Sequence, residues 1–120
     1  MLPGQFAVCR LALGAAWPVW ARGSFVSVTA TDDELSVVCS ADAVPPEVVA
    51  ARDWRVLKVV GPFAFTTVGV LASLTAPLAK ADISLLAIAT YDTDYLLVRS
   101  DAVDKAVAVL SAAGHEHVTA

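Results

Sequence analysis

The strongest constraint on this chain is the way its apolar residues change period after Trp54. Trp54–Val60 reads as a strand and is stopped by Gly61-Pro62. From Thr67 to Lys80 the apolar residues recur at helical spacing through Val68, Leu71, Leu74 and Leu78, with Pro77 expected to kink the last turn. Ile83–Ala89 is a near-continuous apolar run, expected to be a strand buried on both faces or placed centrally. Tyr91–Thr93 reads as a turn and Asp94–Arg99 as the return strand. Ser100 or Asp101 is expected to cap a second helix carrying Val103, Val107 and Leu110, with Gly114 as its stop. His115–Val118 is long enough for one more short strand. Strand, helix, strand, strand, helix, strand is the ferredoxin-like order: an α+β fold with an antiparallel sheet and helices on one face.

The first half is less regular. Gln5–Leu11 is short and β-prone, and Trp17–Ala21 has room for one helical turn. Ser24–Cys39 reads as a hairpin about the acidic turn Asp32-Asp33. Ser40–Val49 contains Pro45-Pro46 and allows at most the start of a helix. Phe25–Val38 can be laid on Leu85–Val98 without a gap, matching Asp32 with Asp92, Glu34 with Asp94 and Ser40 with Ser100. Two hairpins of equal length resemble each other anyway, but here the acidic turn and the following Ser coincide as well. The division expected is therefore 1–53, a degenerate unit, and 54–120, a regular one.

Composition narrows the function. With 58% apolar and 17% charged residues, the 120-residue chain has more core material than a monomer of this size needs, which points to a partner surface, although scattered exposed Ala and Val would also account for it. A net charge of −4 with no basic cluster argues against nucleic acid. No apolar run is long enough to span a membrane, and the Leu11–Ala16 stretch lacks the basic start of a signal peptide, so the expected location is cytoplasmic. Cys9 and Cys39 lie in apolar strand-like runs and read as small buried hydrophobes, not as a disulfide or metal pair. His115 and His117 flank Glu116 but read as a solvated tail, so no metal site is expected. Trp17, Trp20 and Trp54 read as core or interface anchors. No nucleophile–base set, phosphate loop or cofactor motif is evident, and no enzymatic activity or cofactor is expected.

The stretch Gly61–Val98 resembles the core of an ACT domain, with Gly69, Val70, Leu71, Leu78, Ala79 and Ile83 at the pattern's positions. It departs at Thr66 and Val68, where many relatives carry Asp and Pro. Ala89–Val98 is similar to tandem-ACT proteins related to the cytosolic arginine sensors of the CASTOR type. The resemblance implies a non-catalytic regulatory module that binds an amino acid or other small ligand at an interface between ACT units, and a homodimer is expected; neither nucleic acid nor membrane is expected as a partner, on the charge and hydropathy given above.

The candidate ligand wall follows from chemistry and resemblance together. Thr67, Val68, Gly69 and Val70 form a loop-to-helix start whose N–H groups suit a carboxylate; a plain turn accounts for them equally well. Asp92 and Asp94, expected to point the same way, could hold an ammonium or guanidinium group, though Asp is also an ordinary turn residue. Ser84 and Leu85 open the strand whose backbone edge contacts ligand in the family. An alternative reading is a structural interaction module whose ligand site has decayed.

Overall fold

The computed structural model describes residues 1–59 and 69–115 and divides the chain into two compact units. One is Pro3–Trp54; the other is Met1–Leu2 with the chain from Arg55 onward.

The first unit is built on β1 (Phe6–Ala12), β2 (Ser27–Ala30), β3 (Glu34–Ser40) and the first residues of β4 (Val49–Lys58), in the order β2-β3-β1-β4. β1 runs antiparallel to β3 from Phe6 opposite Ser40 to Ala12 opposite Glu34. The expected hairpin is β2–β3, and its turn is tied by the Thr31 hydroxyl, which donates to the Glu34 carbonyl at 3.3 Å. Only a 3-10 turn, Ala41–Ala43, forms ahead of the two prolines. The loop after it is held by Arg52, whose guanidinium donates to the carbonyls of Val44, Pro45 and Val48 at 3.0–3.3 Å. β4 starts five residues before the expected Trp54. Ala50 and Ala51 are weak strand formers, but they pair with Cys9 and Val8 of β1, and that non-local ladder overrides propensity.

Cys9 and Cys39 are free and buried on one face of the β1–β3 ladder, packed with Ala7, Val37, Ala43 and Val44. Burial first, and the neighbouring Cys39 second, push the Cys9 thiol from 9.0 up to about 11; burial also raises Cys39. A raised thiol pKa means the folded chain holds its proton after the unfolded chain has lost it. The associated stability is complete below pH 9 and declines as pH rises toward 11, by about 2 kcal/mol. Urea midpoints at pH 8 and pH 10.5 should differ by more in the wild type than in Cys9→Ala; an equal difference counts against this linkage.

The second unit continues β4 and adds α1 (Val70–Lys80), β5 (Leu85–Ala89), β6 (Asp94–Arg99) and α2 (Val103–Ala112), with strand order β4-β6-β5. Leu74 and Leu78 of α1 and Val103, Ala106 and Leu110 of α2 share a core with Leu57, Leu96 and Val98 of the strands, so both helices cover one face of the sheet. Leu71, expected in the same stripe, is exposed.

Three expectations are corrected. β5 is an outer strand with Leu86, Ala87 and Ala89 exposed; β6 is the strand buried on both faces, through Leu96, Leu97 and Val98. Neither Ser100 nor Asp101 caps α2. Ser100–Ala102 forms a 3-10 turn that leads directly into the helix, and the Ser100 hydroxyl is buried without a partner among the described residues. His115 lies outside any strand, and the rest of the expected last strand falls outside the described residues. Pro77 cannot donate to the Ser73 carbonyl four residues back, and His115 Nε2 donates to that carbonyl instead, at 3.0 Å.

Candidate functional site

Thr67 and Val68 lie outside the described residues, so the helix start is built from Gly69 onward. Gly69 caps α1 with φ at +81°, a left-handed conformation that favours glycine, and its carbonyl accepts from Ser73 N at 2.9 Å. No side chain caps this end. The N–H groups of Val70, Leu71 and Ala72 have no acceptor within the helix, and the helix dipole adds partial positive charge there. An anion is the natural complement of such an end. Val70 is half-buried.

The β5–β6 hairpin supplies the acidic groups. Asp92 is exposed within the turn, whereas Asp94 opens β6 opposite Ala89 and is half-buried. Strand alternation does not relate the two, because Asp92 lies before the strand starts. The turn is organised by threonines. Thr90 Oγ1 donates to the Thr93 carbonyl at 2.9 Å, and the buried Thr93 Oγ1 donates to the Val59 carbonyl at 2.8 Å. Val59 N in turn donates to the Asp94 carbonyl at 3.0 Å. The end of β4, where the chain leaves toward α1, is thus stitched to the residues flanking Asp94. Sequence reasoning passed over Thr93; the available signal was a threonine three residues after Thr90 with the apolar β6 following.

Ser84 and Leu85 stand elsewhere. Leu85 pairs with Val98 and Ala89 with Asp94, so the four residue steps of this five-pair ladder separate Leu85 from Asp94 by about 13 Å along the strands. α1 joins β5 through Ala81–Ser84, which places its C-terminal end beside Ser84 and its start about 16 Å away along the helix axis. Gly69, Val70 and Asp94 therefore belong toward one end of the unit and exposed Ser84 and half-buried Leu85 toward the other. Among the described residues no three His, Cys, Asp or Glu side chains converge as a metal site.

A sheet covered on one face by two helices, with a bare helix start and an acidic hairpin, defines a ferredoxin-like α+β module. The chain belongs to the ACT domain family, whose model matches residues 49–112. Residues 4–47 match a separate family model that describes an N-terminal domain. A solved structure from Agobacterium tumefaciens is 42% identical with a TM-score of 0.87, covering 93% of this chain and 84% of that one. The fold is shared with an allosteric aspartate kinase of Clostridium acetobutylicum at 14% identity and a TM-score of 0.69, over 92% of this chain and 33% of the kinase. The human cytosolic arginine sensor for mTORC1 subunit 1 is 38% identical over 58 residues, 48% of this chain. That match spans 18% of the sensor's length. No helix among the described residues is long and apolar enough to cross a membrane.

Proposed function

We propose that this chain is a non-catalytic, cytoplasmic regulatory module that binds an amino acid through its second unit and acts as a homodimer. The observation that carries the reading is the Gly69-led start of α1 in a unit of the ACT family. The ligand carboxylate is received by the first-turn N–H groups at Gly69 and Val70, and Thr67 and Val68, which precede them in sequence, are proposed to contact the same ligand. Asp94, with Asp92 beside it in sequence, receives the cationic end by charge-assisted hydrogen bonds. Ser84 and Leu85 stand too far along the hairpin to share that ligand within one unit; their role is in the edge of β5.

The arginine-sensing relative and the acidic hairpin both favour a cationic amino acid. The first unit is read as a worn copy of the second. Its hairpin supports this: β3 and β6 start 60 residues apart, at Glu34 and Asp94. The threonine hydroxyls that close the turns, Thr31 and Thr90, are 59 residues apart and so do not occupy matched positions. Both hairpins then run into a 3-10 turn.

Thermal shift of the full chain against each of the twenty amino acids tests the function. One of them at 100 times its dissociation constant should stabilise the fold by about 2.7 kcal/mol, and Asp94→Asn should abolish that response while remaining folded. Absence of stabilisation by any amino acid in a folded sample would remove the ligand assignment and leave the interaction-module reading; an unchanged response in Asp94→Asn would remove Asp94 from the site.

A further inference from the structure

Ser73 ties the first turn of α1 together. Its amide donates to the Gly69 carbonyl at 2.9 Å, and its hydroxyl donates to the Val70 carbonyl at 2.7 Å. One residue therefore closes onto both the cap and the first residue of the helix. Its own carbonyl has lost the ordinary partner. In an α-helix that carbonyl accepts from the amide four residues on, and here that residue is Pro77, which has no N–H.

The replacement donor comes from the other helix of the same unit. His115 Nε2 lies 3.0 Å from the Ser73 carbonyl, and a carbonyl can only accept, so this ring nitrogen carries the proton. The end of α2 is shaped to deliver the ring. Gly114 N donates to the Ser111 carbonyl at 3.0 Å and His115 N to the Leu110 carbonyl at 2.9 Å, the paired bonds of a Schellman stop about a left-handed glycine. The residue after the glycine in such a stop commonly makes an apolar contact back onto its own helix. Here it is a histidine, and its ring is spent on α1. Leu110, whose carbonyl holds His115, is fully buried in a core with Leu74 and Leu78, so the stop rests on packing that both helices share.

A half-buried histidine–carbonyl bond is a small term in overall stability. Its weight comes from where it acts. Among the described residues no side chain caps the start of α1, and helix ends without such restraint fray. The bond from His115 reaches that turn at the residue from which its other bonds radiate.

We propose that His115 is a positioning residue: through the Ser73 carbonyl it holds the first turn of α1 closed, and with it the N–H groups of Val70, Leu71 and Ala72. The consequence for amino-acid binding rests on the function proposed above; the restraint on the turn does not.

Amide hydrogen exchange of the full chain, without added amino acid, tests the restraint. The Ser73 amide, bonded to Gly69, reports closure of the turn. It should exchange about fivefold faster in His115→Ala, while the amides of β6 keep their wild-type rates. His115→Gln retains a donor and should recover most of the protection. Pro77→Ala supplies the missing N–H, so in that background His115→Ala should change Ser73 exchange by less than about twofold. Unchanged Ser73 exchange, equal acceleration in Ser73 and β6, or an effect of His115→Ala that is the same with and without Pro77 would each overturn the proposal. Thermal-shift titration with L-arginine and L-lysine tests the consequence. His115→Ala should raise the half-saturating concentration by about fivefold, with His115→Gln close to wild type. A response indifferent to His115→Ala, beside accelerated Ser73 exchange, would overturn the positioning role. A wild type that responds to neither amino acid counts against the proposed function alone, and the exchange pattern still supports or overturns the restraint.

Discussion

Gly23→Ala is expected to lower the stability of the chain by about 2–4 kcal/mol. Two effects add at this position. Gly23 has φ at +138°, a backbone region that residues with a Cβ rarely adopt. A Cβ built there would also lie 2.9 Å from Ser40 Cβ and 3.1 Å from the Ser40 nitrogen. The second neighbour is backbone, and it is fixed, because Ser40 N donates to the Arg22 carbonyl at 2.9 Å and Ser40 pairs with Phe6 in the β1–β3 ladder. Relief therefore requires moving either the end of the β1–β2 loop or the end of β3. Gly14→Ala is the control: its φ is +83°, but nothing lies within 4 Å of the added Cβ, so only conformational strain of about 1 kcal/mol remains. Urea unfolding of the two variants should separate them by at least 1 kcal/mol. Equal midpoints would mean that the close approach to Ser40 is relaxed in solution.

The pattern of what the sequence disclosed has a physical basis. Element order in the second unit was legible because local signals mark it: the Leu74–Leu78 spacing, the turn residues before Asp94, and Gly114, which ends α2 with φ at +93°. Burial of β5 against β6 was not legible. Ile83–Ala89 and Tyr95–Val98 are both apolar runs, and which one lies inside depends on which neighbour each strand finds across the sheet, a non-local fact. The start of β4 was missed for the same reason, since Ala50 and Ala51 become strand only through β1. In the candidate site the acidic hairpin was visible, but its builders were not. Aspartates draw attention as charges, while Thr93 does its work through one buried hydroxyl bond to the Val59 carbonyl that no spacing rule reports. The cap of α2 was misjudged because Ser100 fits a capping position in sequence, and a 3-10 turn takes the place of the side-chain cap.

The second large effect is expected at the helix that carries the ligand-receiving end. Leu78→Ala should destabilise the chain by about 2–5 kcal/mol. Leu78 is fully buried and packs in the core with Leu74, Ile83, Leu96 and Leu110. Its backbone cannot easily follow a collapse into the cavity. Pro77 stiffens the preceding residue, and the Leu78 carbonyl accepts from Ile83 N at 3.0 Å in the turn that reverses the chain toward β5. A site that relaxes poorly falls at the high end of the range for such truncations. Leu71→Ala, on the exposed side of the same helix, should cost less than about 1 kcal/mol. Leu74 and Leu78 are the buried residues of α1, so together they fix the direction in which its first-turn N–H groups point. Under the proposed function, Leu78→Ala should lose ligand-induced stabilisation at temperatures where the chain is still folded, whereas Leu71→Ala should retain it. If both variants kept the full response, the ligand would have to be held by groups other than the start of α1; if both lost it, the exposed face of the helix, and not its orientation, would be the contact.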